Sequence, residues 1–169
     1  IIKDLDLTLL IKYGLMLLLA YGLTSIKFQS EIMIFLQGID IVNVSRINDL
    51  FVNYGTRFLN KILSDSEKLE FNFNEKNKFF LVSRIANKFA AKEAASKALG
   101  TGFRKGVRFS DFEISNNKLG KPLIKFSGNA KQILKRKIKK NNVASTNISI
   151  SNEKDYAVAI VTIIITKKL

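Results

Sequence analysis

The chain has 169 residues, with 28 Lys or Arg against 14 Asp or Glu, a formal charge of +14, one Pro, and no Cys, His or Trp. Those absences exclude disulfides, zinc held by thiolate or imidazole, a Ser-His-Asp triad and a Cys nucleophile within one subunit. What remains is a hard cation held by carboxylate oxygen, proton transfer by carboxylate, Lys, Tyr or solvent, and a charge excess that calls for an anionic partner.

Residues 1–32 are neutral in sum, and Leu5 to Ile26 is dominated by Leu, Ile, Tyr and Gly. At about 20 residues this is long enough to span a bilayer, but Lys12, Gly14 and Gly22 interrupt it. Met33 stands directly before a strand pattern and is expected to be the natural start, so the sequence divides into an apolar extension, 1–32, read as translated upstream sequence or a dispensable segment, and a domain at 33–169. A membrane anchor and an extra packed helix are the alternatives for the extension. Ile34 to Val42 reads as a buried strand by its branched and aromatic content. Helices are expected over Ser45–Tyr54 and Ser64–Phe73, the second with Ser64 and Glu67 at capping-box spacing. A long helix runs from Lys78 to Leu99 and ends at Gly100-Thr101-Gly102. Val107–Ser115 and Pro122–Phe126 read as strands around the turn Asn116–Lys121. A basic helix over Asn129–Lys140 precedes a hairpin of Thr146–Ser151 and Tyr156–Thr166. The order predicts an α+β fold, a mostly antiparallel sheet packed with one long central helix and shorter ones.

Two carboxylates interrupt apolar surfaces. Strand alternation sets Asp40 on one face with Ile34, Leu36, Gly38 and Val42. Helical spacing sets Glu93 in the stripe of Val82, Ala86, Phe89 and Ala90, with Lys97 one turn on, while Arg84, Lys88 and Lys92 form a separate row expected to be solvated. Burying charge where a polar face is available has a desolvation cost. Asp40 is read either as a strand-end cap or as a ligand. Glu93 is read either as half of a buried pair with Lys97 or as part of a metal or phosphate site. Together the two carboxylates supply oxygen ligands for a divalent cation, with Lys97 beside the phosphates that complete its shell.

These residues belong to a wider set of motifs, in order: Gly38-Ile39-Asp40-Ile41-Val42, Arg46-Ile47, Arg57-Phe58, Ile62-Leu63-Ser64, Lys88-Phe89-Ala90-Ala91-Lys92-Glu93-Ala94, Ser96-Lys97-Ala98, Gly100-Thr101-Gly102, Gly120-Lys121-Pro122, Ile148-Ser149-Ile150-Ser151 and Asp155-Tyr156-Ala157. The set resembles holo-acyl-carrier-protein synthase of the short bacterial type, from Met33 to about Thr166. The resemblance implies a 4′-phosphopantetheinyl transferase that moves the arm of coenzyme A onto a Ser of apo acyl-carrier protein and releases adenosine 3′,5′-bisphosphate. It further implies Mg²⁺ on Asp40 and Glu93, catalytic roles for Lys97 and Glu93, and Lys97 near the pyrophosphate. Lys88, Lys121 and Asn147 would contact the coenzyme, and Arg46 and Arg57 the carrier. A cytoplasmic homotrimer serving fatty acid biosynthesis goes with it.

The chain departs from that pattern at three positions. Asn147 and Asn152 stand where family members usually carry His, and Asn43 where they usually carry Glu. Asn bonds but takes no proton at neutral pH, so no imidazole serves as base here. Two other classes are carried: a nucleic-acid-binding domain, favoured by the charge and the Lys131, Lys135, Lys139 row, and a membrane-anchored interaction module. From Lys118 to Lys140 there are nine basic residues and no acid, which a solvated helix face accounts for more simply.

Overall fold

The branched run after Met33 forms strand β1 (Ile34–Asn43) in the computed structural model, which describes residues 33–71 and 76–168. The expectations for residues 1–32 lie outside the described residues. β1 pairs antiparallel with β5 (Tyr156–Lys167), which pairs antiparallel with β4 (Asn142–Asn152), so the last strand is the centre of a β1-β5-β4 sheet. Ala157, Ala159, Val161, Ile163 and Ile165 of β5 are buried beneath the long helix α3 (Lys78–Ala98), which lies across β1 and β5. A hairpin of β2 (Phe112–Asn116) and β3 (Pro122–Phe126) makes a second, two-stranded sheet. The fold is α+β with antiparallel sheets, as expected.

Several boundaries differ from expectation for identifiable reasons. Helix α1 (Val44–Ile62) runs eight residues past Tyr54 because Gly55 adopts φ 49°, ψ −129°, a bend that lets the chain resume helix instead of stopping. Asn43 caps this helix: its Oδ1 accepts from the Ser45 and Arg46 amides at 2.9 and 3.3 Å. Helix α2 (Asp65–Leu69) opens on the expected box, with the Ser64 amide donating to Glu67 Oε2 at 2.8 Å and the Glu67 amide to Ser64 Oγ at 3.3 Å. It stops before Glu70, short of the expected Phe73. The strand expected from Val107 begins only at Phe112, because Phe109–Asp111 is a 3₁₀ turn. Asp111 holds that turn against helix α4 (Gly128–Lys137): its carboxylate accepts from the Ala130 amide at 3.2 Å and its carbonyl from the Ser127 amide at 2.7 Å. Helix α4 ends three residues earlier than expected, and Lys131, Lys135 and Lys139 are exposed.

In the row of Arg84, Lys88 and Lys92 the two lysines are not solvated, and Arg84 is part-exposed. Lys92 is fully buried and donates to the Ile62 carbonyl at 2.6 Å and to Glu67 Oε2. Glu67, also fully buried, accepts from the Ile114 amide at 3.0 Å through its other oxygen. Lys88 lies 3.6 Å from that oxygen and 3.1 Å from Glu70. Helix α3 is therefore apolar on the sheet side and ionic on the other, where two lysines reach the ends of α1, α2 and β2. Burial pulls the Lys92 ammonium below its usual range, and Glu67 opposes that shift.

Candidate active site

Gly38 sets how closely α3 approaches β1. A Cβ there would overlap the Ala94 carbonyl oxygen and lie 2.5 Å from the Ala98 nitrogen and 2.9 Å from Lys97 Cβ. The helix backbone occupies the space of a side chain, which brings Glu93 and Lys97 down to the strand level of Asp40. Gly38→Ala forces the two elements apart. We expect it to destabilise by about 1–3 kcal/mol in urea unfolding and to lower catalytic rate by more than the lost folded fraction explains.

The face predicted for Asp40 is observed: Gly38 and Val42 are buried on it while Phe35, Ile39 and Ile41 are exposed on the other. Lys97 Nζ donates to Asp40 Oδ1 at 2.7 Å and to the Ile39 carbonyl at 3.1 Å. Of the two readings of Glu93, the one that pairs it with Lys97 is therefore not the arrangement formed. Half of the Lys97 side chain is exposed against 14 % of Asp40, so the third ammonium N–H is open to a ligand from solvent. Glu93 is half-buried, and among the described residues its carboxylate makes no hydrogen bond or ion pair. Desolvation first, and then the charge of Asp40, raise its pKa, while Lys97 and Arg46 oppose the rise. Two neighbouring carboxylates, one unpartnered and held above its ordinary range, fit a hard divalent cation, whose charge would offset both causes. The described residues offer no group of three or more such ligands. A cation here would complete its shell with water and ligand oxygens.

Beyond the Asp40–Lys97 pair, α3 walls a cavity of about 230 Å³ lined by Glu70, Arg84, Asn87, Lys88, Asn116 and Gly120 among others. A second cavity, about 590 Å³, lies along α1 between Leu50, Tyr54, Arg57, Phe58, Lys61 and the rings of Phe89 and Phe109. Its floor is apolar and its rim cationic.

A profile of the 4′-phosphopantetheinyl transferase superfamily matches residues 37–161. A holo-[acyl-carrier-protein] synthase of Wigglesworthia glossinidia brevipalpis is 46 % identical over 125 residues, 73 % of this chain and 87 % of that protein. The chain belongs to the holo-[acyl-carrier-protein] synthase family. It is a transferase by that membership, and solved members share its fold. The Helicobacter pylori synthase, in complex with coenzyme A, superposes with a TM-score of 0.61 at 35 % identity, covering 75 % of this chain and 98 % of that one. The Plasmodium yoelii synthase gives 0.65 at 30 % identity over 78 % of this chain and 96 % of that one.

The structure distributes the remaining predicted residues of this synthase over three places. Lys88 is in the wall of the smaller cavity, donating to the Ile114 carbonyl and to Glu70 at 3.1 Å. Lys121 is exposed at the end of the same hairpin turn, where Asn117 Oδ1 accepts from the Leu119 and Lys121 amides, each at 2.9 Å. Arg57 lines the larger cavity, and Arg46, on the first turn of α1, is within electrostatic reach of Glu93. Asn147 is elsewhere. It pairs in register with Thr162 on the sheet face that also carries Phe35, Ile39 and Ile41, opposite Asp40. Asn152 faces the helix, donating to Ser83 Oγ at 3.0 Å and accepting from Asn87 Nδ2 at 3.2 Å.

Sequence reasoning missed Glu67 and Lys92 as a buried pair, and Phe89 and Phe109 as cavity walls. The capping-box spacing marked Glu67 as a local cap. Nothing local shows that a residue 25 positions away completes its hydrogen bonding.

Proposed function

We propose that this chain transfers the 4′-phosphopantetheine arm of coenzyme A to a serine of an apo acyl-carrier protein in a Mg²⁺-dependent reaction. The observation that carries the reading is the Asp40–Lys97–Glu93 cluster at the Gly38 contact, in a chain of this family. In the reaction the serine oxygen forms a bond to the phosphorus bearing the pantetheine arm. The bond from that phosphorus to the bridging oxygen breaks, and its electron pair leaves on adenosine 3′,5′-bisphosphate. A divalent cation held by Asp40 and Glu93 would supply charge neutralisation at the pyrophosphate oxygens. Lys97, with one ammonium N–H free, meets charge growing on the leaving phosphate from a fixed position. The serine proton goes to water or to a carboxylate, since the chain has no imidazole. The reading carries with it the expectation of a role in fatty acid biosynthesis in the cytoplasm.

The cationic wall of the smaller cavity, Lys88 with Arg84, and the exposed Lys121 suit the coenzyme's phosphates. Sites that enclose a drug-sized ligand run to about 300–1,000 Å³, so 230 Å³ receives a part of the molecule, a phosphate or base, and the rest extends toward Asp40. The larger cavity suits the carrier: Arg46, Arg57 and Lys61 meet acidic side chains, and the apolar floor accepts a hydrophobic one. The open sheet face, with Phe35, Ile39 and Ile41 each about 60 % exposed beside Val158, Ile160 and Ile164 of β5, suits a further copy of the chain, as in a homotrimer. In that assembly Asn147 would lie at the interface, where it reaches a coenzyme bound to a neighbour or only the neighbour itself.

The deciding experiment incubates the purified chain with Mg²⁺, coenzyme A and an apo carrier and weighs the carrier. A gain equal to the phosphopantetheine arm is expected. No gain at any metal or pH overturns the reading, and tight salt-sensitive RNA binding would replace it.

A further inference from the structure

The smaller cavity already contains an anion of its own. Glu70 follows α2, and its Oε2 accepts from Lys88 Nζ at 3.1 Å inside the wall that Arg84, Asn87, Asn116 and Gly120 complete. Arg84 is bound to the same residue, its Nη2 donating to the Glu70 carbonyl at 3.3 Å. The two cations of the cavity are thus both engaged by Glu70, one through the carboxylate and one through the backbone.

The two acids around Lys88 are not equivalent. Glu67 is fully buried, fixed by two backbone amides and Lys92, and lies 3.6 Å from Lys88. Its single charge is shared with the nearer Lys92, so it offsets that of Lys88 only in part. Glu70 is nearer, at 3.1 Å, yet its side chain is 44 % exposed, and no other side chain holds its carboxylate among the described residues. An exposed ion pair of this kind is weak and readily exchanged. A carboxylate and a phosphate ask the same of a lysine ammonium.

We propose that Glu70 is a built-in stand-in for the substrate's phosphate: it occupies Lys88 in the free protein, and a phosphate monoester of the incoming nucleotide displaces it into solvent. The inference rests on the assignment of the cavity to the coenzyme's phosphates and deepens it by naming a residue that sets affinity against the ligand. Glu70 keeps Lys88 extended and oriented while the site is empty, and it raises the concentration of nucleotide needed to fill the site. It makes no contact with reacting atoms. Its effect is on binding, and it acts through Lys88.

The test is calorimetric titration of adenosine 3′,5′-bisphosphate into the full chain and into Glu70→Gln and Lys88→Met. The glutamine keeps size and hydrogen-bonding capacity but removes the competing charge. Glu70→Gln is expected to tighten nucleotide binding by roughly 1.5- to fivefold, the equivalent of one exposed ion pair, and Lys88→Met to weaken it. Unchanged or weaker binding in Glu70→Gln, with Lys88→Met still weakening, overturns the stand-in and leaves the phosphate site intact. Unchanged binding in Lys88→Met overturns the assignment of the cavity itself, and the stand-in with it.

Discussion

Asp40→Ala and Glu93→Ala are each expected to slow phosphopantetheine transfer by at least about a thousandfold, the loss of several kcal/mol of charge stabilisation, as measured by carrier mass gain against time. A more searching version uses Glu93→Gln and measures stability beside activity. Glu93 has its pKa raised from the ordinary 4.5 by desolvation and by Asp40. A carboxyl whose folded pKa exceeds its unfolded one holds its proton more tightly when folded. It contributes stability that is fully present below about pH 4.5 and is lost as pH rises through the folded value. At pH 7 without metal Glu93 is therefore a burden on the fold, and Glu93→Gln, inactive, is expected to melt at a higher temperature than the parent. That advantage shrinks on acidification. Mg²⁺ should raise the melting temperature of the parent and leave Glu93→Gln nearly unmoved. A lower melting temperature for Glu93→Gln at pH 7, or equal Mg²⁺ stabilisation of both proteins, would show that the carboxylate is held by something other than a cation.

The second large effect concerns the fold. Glu67 is fully buried and accepts from the Ser64 and Ile114 amides and from Lys92. Glu67→Ala removes all three bonds at once and strands the Lys92 ammonium, which retains only the Ile62 carbonyl. Breaking a buried pair from one side costs about 3–5 kcal/mol, and the upper figure applies. Against a total stability of about 5–15 kcal/mol, the variant is expected to be largely unfolded at 37 °C by circular dichroism. Lys92→Met should cost less, about 3 kcal/mol, because Lys88 remains 3.6 Å from Glu67 and partly compensates it. If Lys92→Met proves the more damaging of the two, Glu67 is not the hub of this network.

The difference between those two residues and the proposed metal-binding pair, Asp40 and Glu93, explains what was legible beforehand. Asp40 and Glu93 violate a local periodicity, and strand period 2 and helix period 3.6 are properties that a short window contains. Ser64 and Glu67 were legible as a cap for the same reason. Lys88 and Lys92 were misplaced because spacing by four says only that residues share a helix face, and it is silent on whether another element covers that face. Here the ends of α1, α2 and β2 cover it, and all three come from distant sequence. The strand expected at Val107 failed similarly: its apolar alternation is genuine, but Asp111 bonds to the start of α4, nearly twenty residues on, and that contact bends the chain into a 3₁₀ turn. The alternative in which Lys97 pairs with Glu93 is not what forms. Glu93 lies one turn away along the helix, but the Gly38 contact brings Asp40 within 2.7 Å of its ammonium.

By itself, then, the residue inventory excluded imidazole and thiolate chemistry, left oxygen-ligated metal, and marked Asp40 and Glu93 as charges in apolar stripes, since composition and periodicity need no partner to be read. Only the tertiary structure decided that the helix of Glu93 closes on the strand of Asp40 at a glycine, that Lys97 bridges to the strand, that Asn147 faces away from them, and that two lysines of the long helix are internal. Each of those facts depends on which distant backbone comes to lie against a given face, and that is set by packing of the whole core rather than by any local run of residues.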